Sequence, residues 1–468
     1  MDSEQSTGKG AVLLIAALSS FLTPFMGSAL NVALPAIGRE FQMSAVALTW
    51  VPMAYVLASA IFLVPLGRLA DIHGRKRVFH TGIVMYTCAS VCLAVAPSAP
   101  VLLIFRAVQG VGSAMIFCTG TAILLSVLPA SERGRALGVN VAAVYFGLSA
   151  GPVLGGFLTQ HFRWRSIFVF TCVLGAVTFV LALCKLKGEW AAARRERFDL
   201  PGAALYSLSL LALAAAFSWL PAADGFVALA AGIFGLAVFA LFERAATGPL
   251  LDMNLFWHNT VFAFSNLAAL INYGATFAVG FLLSLYLQHI KGLGPQDAGL
   301  VLLSQPVVMA VLSPLAGRLS DRVQPRLVAS TGMGIITVGL VLLAFVTDVT
   351  PLWYIVACLV LLGLGFAFFS SPNTNAAMSS VERPAYGVAS AILATMRLLG
   401  HVFSMGVVTL ILSLFFGRAK MTPAIYPQFL ASLRTAFPVF AALCLVGVFA
   451  SLARGNLARS GAAQAAQG

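Results

Sequence analysis

Two arginines and one histidine are the residues best placed to do chemistry in this chain. Arg106 and Arg397 each stand in an otherwise uncharged stretch, 78–131 and 384–417 respectively, and His401 follows Arg397 by four residues. A charge inside such a stretch costs at least about 2.5–3.5 kcal/mol to bury in lipid, so its presence asks for a role. The four-residue spacing puts Arg397 and His401 on one helical face. Imidazole titrates near neutral pH, which makes His401 the proton-coupling candidate. The bland alternatives are a snorkelling or carbonyl-bonded Arg106 and a packing histidine at 401. Six uncharged polar residues complete the candidate substrate-binding set: Asn31, Gln109, Asn272, Tyr273, Gln305 and Asn373. Polar side chains in apolar helices also serve simply as glue between helices. There is no phosphate-binding P-loop, no His-Glu-x-x-His and no serine nucleophile elbow, so neither ATP-driven nor hydrolytic chemistry is expected. The seven cysteines lie in apolar runs and make no metal set; neither a cofactor nor a metal is expected.

These residues are carried by elements that water could not dissolve. Of 468 residues, 60% are hydrophobic and only 9% are charged, against roughly a quarter charged in soluble domains. Lipid is the solvent that tolerates such a surface, and a spanning helix needs about 20 mostly apolar residues. Fourteen segments qualify: 11–37, 44–66, 78–97, 100–128, 136–159, 165–186, 200–219, 225–242, 259–289, 296–316, 327–346, 351–377, 386–416 and 435–454. The fold class is therefore an all-α integral membrane protein. The net charge of +13 sits in short connections, which argues for membrane orientation rather than nucleic-acid binding. With both termini in the cytoplasm, 19 Lys and Arg fall on that side and 7 on the other. The expected location is the plasma or inner membrane, multi-pass, in contact with lipid.

The chain repeats itself. Gly67-Arg68-Leu69-Ala70-Asp71 returns as Gly317-Arg318-Leu319-Ser320-Asp321, and Glu132-Arg133 returns as Glu382-Arg383, both at an offset of 250. A duplicated six-helix unit follows, interrupted by two extra spans. The expected organisation is 1–188, a six-helix bundle; 189–256, a linker with two inserted helices; and 257–468, a second six-helix bundle and a short tail. Parallel six-helix halves are a transporter architecture, with the substrate site near mid-membrane between them.

Three segments have an order that a bland turn or helix does not need. The connection after helix 2 reads GRLADIHGRKRVF, 67–79. Gly67 and Gly74 allow close packing and a tight turn, Asp71 can accept bonds from arginines, and Arg75 holds the connection to the headgroups. Helix 4 carries FRAVQGVGSA, and helix 5 carries GLSAGPVLGG, 147–156, where Gly151, Pro152, Gly155 and Gly156 permit a kink and a close neighbour. Gly67, Asp71, Gly74, Arg75 and these four are the candidate gating residues.

Together the three segments resemble the signatures of the major facilitator superfamily. With fourteen spans and ALNVALPAI at 29–37, the chain is similar to that superfamily's fourteen-helix drug:proton antiporters of the multidrug efflux type. The resemblance implies two six-helix bundles plus two inserted helices, alternating access, and the antiporter motif in helix 5. That group usually has an acid five residues before Asn31; Met26 stands there. All fifteen acids fall in tails, connections or helix ends. The resemblance thus implies export more than it implies carboxylate proton coupling or cationic substrates. The expected function is a non-enzymatic, secondary-active exporter of small, mostly hydrophobic compounds, acting as a monomer and driven by protons. Two other readings stay open: an exporter or uniporter of an organic anion or metabolite, and a non-transporting membrane sensor.

Overall fold

The computed structural model describes residues 8–190, 198–245, 249–251, 253–382, 386–417 and 419–454. The basic residues Arg194, Arg195 and Arg197 of the linker, and Arg383 of the repeat, lie outside them. A backbone in lipid must satisfy its own hydrogen bonds, and among the described residues it does so with helices. These are α1 (Lys9–Glu40), α2 (Ala45–His73), α3 (Arg75–Ala94), α4 (Ala99–Val127), α5 (Ala130–Phe162), α6 (Arg165–Lys185), α7 (Leu200–Trp219), α8 (Ala223–Ala245), α9 (Asn254–Trp257), α10 (Thr260–Leu285), α11 (Pro295–Leu302), α12 (Ser304–Arg322), α13 (Pro325–Leu343), α14 (Leu352–Ser379), α15 (Tyr386–Phe416) and α16 (Tyr426–Leu452). Among the described residues, fourteen spans are long and apolar enough to cross a membrane. Three of them are composite, the last because a 3-10 turn, Pro423–Ile425, leads into α16. α10 runs on through a π-helical turn, Tyr286–Ile290, and α11 and α12 form one span broken at Leu303. With fourteen candidate spans among the described residues, the start of α1 and the end of α16 fall on one face, here termed the terminal face.

Several boundaries differ from the sequence reading: α5 starts at Ala130 rather than 136, α12 runs on to Arg322 rather than 316, and two more turn on single residues. Gly67 to His73 is helix, not loop: α2 runs down to His73, and the connection to α3 is Gly74 alone, at φ +116°. Only glycine adopts that conformation without strain. At the other end of the chain, α16 starts at Tyr426 with Pro427 in its first turn, a favoured helix start. Arg434, expected in the preceding connection, is therefore inside the helix with its side chain exposed.

The chain is two six-helix bundles plus an inserted pair. α1 to α6 form the first bundle; α10 to α16 form the second. The duplication is visible in the packing. Gly110 meets the Tyr55 carbonyl between α4 and α2, and Gly363 meets the Gln305 carbonyl between α14 and α12. Tyr55 and Gln305 stand 250 positions apart, as do Gly82 and Gly332, each pressed against a glycine carbonyl of the next helix, Gly112 and Gly365. The inserted α7 and α8 pack on each other, and α7 leans on both bundles. Tyr206 donates its hydroxyl hydrogen to the Ala60 carbonyl of α2 at 3.0 Å, and the Phe217 ring lies 5.6 Å from Phe403 of α15.

Candidate functional site

Near the middle of α10, α14 and α15, aromatic and cationic side chains converge. The Tyr273 ring meets Phe366 edge-on at 5.2 Å and His401 edge-on at 5.3 Å. His401 stacks on Phe277 with ring centres 4.0 Å apart. The Arg397 guanidinium sits 5.6 Å from the Tyr273 ring centre, and its NH2 donates to Thr374 Oγ1 at 2.8 Å. Arg397 Nε is buried and has no hydrogen-bond acceptor among the described residues. The first bundle adds Tyr145 of α5, whose hydroxyl accepts a hydrogen bond from Ser313 of α12 at 3.1 Å. Tyr145 is also within hydrogen-bonding reach of Ser370 and within electrostatic range of Tyr273 and Arg397. This constellation spans the seam between bundles and offers flat π-faces, hydroxyls and one cation with spare donor capacity. Tyr145 escaped the sequence reading. Its only signal was a hydroxyl in mid-helix, two residues before the glycine-rich motif, where a phenol needs a partner.

The other predicted lining residues are elsewhere. Arg106 is buried between α2 and α4. Its Nε donates to the Val51 carbonyl at 3.1 Å, its NH1 to Gln109 Oε1 at 2.5 Å, and its guanidinium lies 4.4 Å from the centre of the Tyr55 ring. Gln109 passes the network on to Ser90 Oγ at 2.9 Å. Both point into the first bundle. Asn272 and Asn373 are buried within the second. Asn373 Nδ2 donates to the Ser265 carbonyl at 3.1 Å, whereas neither amide atom of Asn272 has a partner. Gln305 stands just past the α11–α12 break. Asn31 belongs to the seam, where its carbonyl accepts from Ser284 Oγ at 2.6 Å.

Contacts crossing the seam concentrate away from the terminal face. Beside the Asn31 contact, Gln288 Nε2 donates to the Val32 carbonyl at 2.9 Å, and Thr49 and Thr409 hydroxyls meet at 2.7 Å. The Ala45 N–H reaches the Ala419 carbonyl at 3.4 Å, in an isolated β-bridge between Ser44 and Lys420. The helix 5 motif takes part on two sides. A methyl group at Gly155 would lie 2.7 Å from Ala29 Cα of α1, and one at Gly156 would lie 2.6 Å from the Pro295 carbonyl of α11. Gly151 and Pro152 are likewise enclosed: Gly151 by Ser28, and the Pro152 carbonyl by Gly299. Toward the terminal face the seam still holds an apolar patch of Leu63, Leu66, Ala114 and Ala394.

The α2–α3 turn is held within the first bundle. Asp71 pairs with Arg75 at 2.8 Å, and Arg75 NH1 donates to Ser126 Oγ at 3.0 Å. Gly67 meets Cys118 at ordinary contact distance. The linker closes over Gly74: the Arg75 N–H donates to the Trp190 carbonyl and the Lys76 N–H to Glu189 Oε1, each at 2.8 Å.

The sequence model of the Major Facilitator Superfamily matches residues 16–271 and 265–465. The chain belongs to the Major Facilitator Superfamily. Its relatives within the superfamily include the riboflavin transporter RibZ of Clostridioides difficile, 31% identical over 88% of this chain and 89% of that one. The multidrug resistance protein Stp of Mycobacterium tuberculosis is 32% identical over 86% and 75%, and the cephamycin export protein CmcT of Amycolatopsis lactamdurans 33% over 86% and 85%. The fold matches an inward-facing bacterial homologue of the human lysosomal transporter Spinster with TM-score 0.70, at 17% identity, covering 95% of this chain and 97% of that one. The chain is thus a transporter of this superfamily with fourteen candidate spans among its described residues, and relatives named for drug resistance and export are among those it resembles.

Proposed function

We propose that this transporter exports small, mostly hydrophobic compounds, binding them at the Tyr273–Arg397–His401–Tyr145 constellation. The observation that carries the reading is that both bundles supply side chains to that constellation. A solute held there contacts each half and can be released to either side as the halves rock. The names of Stp and CmcT, a multidrug resistance protein and an export protein, support export. The positive-inside rule favours a cytoplasmic terminal face. The crossing contacts then close the external side, and the described state is inward-facing. Protons are the proposed coupling ion and His401 the proposed carrier, the chain acting as a monomer. Arg397 Nε, buried without an acceptor, favours neutral or anionic ligands over quaternary cations, because an unpaired guanidinium repels a second cation and welcomes an acceptor. The same observation supports a second reading, export of one particular organic anion.

The test uses proteoliposomes loaded with fluorescent dyes under an imposed pH gradient. Gradient-dependent flux of several neutral or anionic aromatic dyes is expected, with gradient dependence lost in His401→Ala. Robust flux of quaternary ammonium dyes with none of anions would sink the ligand assignment. Flux of a single anion, indifferent to the gradient, would favour the second reading.

A further inference from the structure

The two inserted helices meet each other at their base through two acids. Glu243, near the end of α8, is 2% exposed, and Asp199 caps the start of α7. Each carboxyl uses one oxygen conventionally. The Gly202 N–H donates to Asp199 Oδ1 at 3.0 Å, and the Leu251 N–H donates to Glu243 Oε2 at 3.1 Å. The remaining oxygens, Asp199 Oδ2 and Glu243 Oε1, are both buried and have no hydrogen-bond donor among the described residues. They face the same small space. A methyl group at Gly202 would run into Asp199 Oδ2 and lie 2.7 Å from Glu243 Oε1, and the two carboxyls are within hydrogen-bonding reach of each other.

Two carboxylates cannot both stay ionised at that separation away from water, and a single proton between them removes the repulsion while supplying the missing donor. We infer that Asp199 and Glu243 form a proton-binding carboxyl pair, one proton bridging Oδ2 and Oε1, that fastens the base of the inserted hairpin. Among the described residues no cation donates to the two free oxygens. Arg244 turns away over the Trp257 ring at 5.3 Å, and Arg68 of α2 has a partner; Arg194, Arg195, Glu196, Arg197 and Asp252 lie outside the described residues. The pair is remote from the Arg397 constellation and independent of the ligand assigned there. Its consequence is mechanical. α7 is hydrogen-bonded to α2 and packed on α15, so loosening its base bears on the seam along which the bundles move.

The experiment uses the full-length protein in detergent or nanodiscs. The difference infrared spectrum of the wild type between mildly acidic and alkaline pH should show loss of a protonated carboxyl band that is missing in both Glu243→Gln and Asp199→Asn. Either amide can donate to the remaining carboxylate and so mimic the protonated pair. A proton held more tightly in the folded than in the unfolded chain stabilises at low pH, and that stability is lost as pH rises through the folded-state titration. Wild-type melting temperature should therefore fall from about pH 5 to about pH 9, while Glu243→Gln stays flat. Parallel pH profiles in wild type and Glu243→Gln would overturn the pair. So would a wild-type spectrum lacking the band, which requires no variant to fold. Stabilisation of the wild type by sodium ions at alkaline pH would replace the proton with a metal cation and equally overturn it.

Discussion

Arg106 and Arg397 show how one residue type takes two roles in the same bilayer. Arg106 spends its donors on Val51 and Gln109 and its charge on the Tyr55 ring. Replacing it with leucine leaves the buried Gln109 amide oxygen without this donor and removes the second donor of the Val51 carbonyl, at about 1–3 kcal/mol for the unmet buried group. Arg106→Leu should therefore lower the melting temperature and the yield of folded protein, while the survivors keep the wild-type ranking of substrates. Arg397 is half-buried, with Nε unused. Arg397→Gln should melt near wild type yet cut flux of anionic dyes at least tenfold, about 1.4 kcal/mol of lost binding. Undiminished flux would take Arg397 out of the binding constellation. The shared face of Arg397 and His401 was legible in the sequence, because charged and titratable residues are scarce in apolar helices and a four-residue spacing sets them together; Tyr273, on another helix, was legible only as a polar residue in a span. Tyr145 was not, since a single tyrosine among apolar residues carries no mark of which bundle it will touch.

At the scale of elements, α5 is the helix whose composition most constrains its neighbours. Gly155 lies where a methyl group would press on the Ala29 backbone, whereas Gly138 of the same helix has nothing within 4 Å. The two substitutions should therefore diverge. Gly155→Ala overpacks the contact with α1 at a cost of about 1–3 kcal/mol, read as a lower melting temperature with reduced transport. Gly138→Ala relieves a flexible helical position and gains up to about 1 kcal/mol. Equal effects from both would show that the α1–α5 contact is looser than described. Spans and their order were readable from hydropathy, because each helix must satisfy lipid by itself. Ends were less so. The helical course of Gly67–His73 and the extension of α16 past Arg434 depend on a single glycine at positive φ and on a charge that can turn outward.

For the whole molecule, the distribution of contacts along the seam is the decisive feature. Thr49 and Thr409 touch across it at 2.7 Å, near the face opposite the termini. Cysteines at both positions, in a background without the seven native ones, should form a disulfide on oxidation and hold that side shut. Transport should stop in the oxidised double variant Thr49→Cys/Thr409→Cys and return with reductant. Full transport in the crosslinked protein would mean that this side need not open at Thr49, and alternation would have to be sought elsewhere. α7 is the part of the molecule that touches both bundles without belonging to either, which places the inserted pair where it can sense their relative motion.

The sequence by itself determined the solvent, the number of crossings, the duplication and the superfamily. Those properties are written locally, in runs of apolar residues, in charges confined to connections and in short motifs repeated at a fixed offset. Only the tertiary structure decided which arginine is masked and which is available, that Tyr145 joins the opposite bundle, which side of the seam is closed, and that Asp199 and Glu243 share a pocket. Each of these depends on contacts between segments far apart in the chain. Lipid-facing and partner-facing positions read alike when both are apolar, so no periodicity could have told them apart.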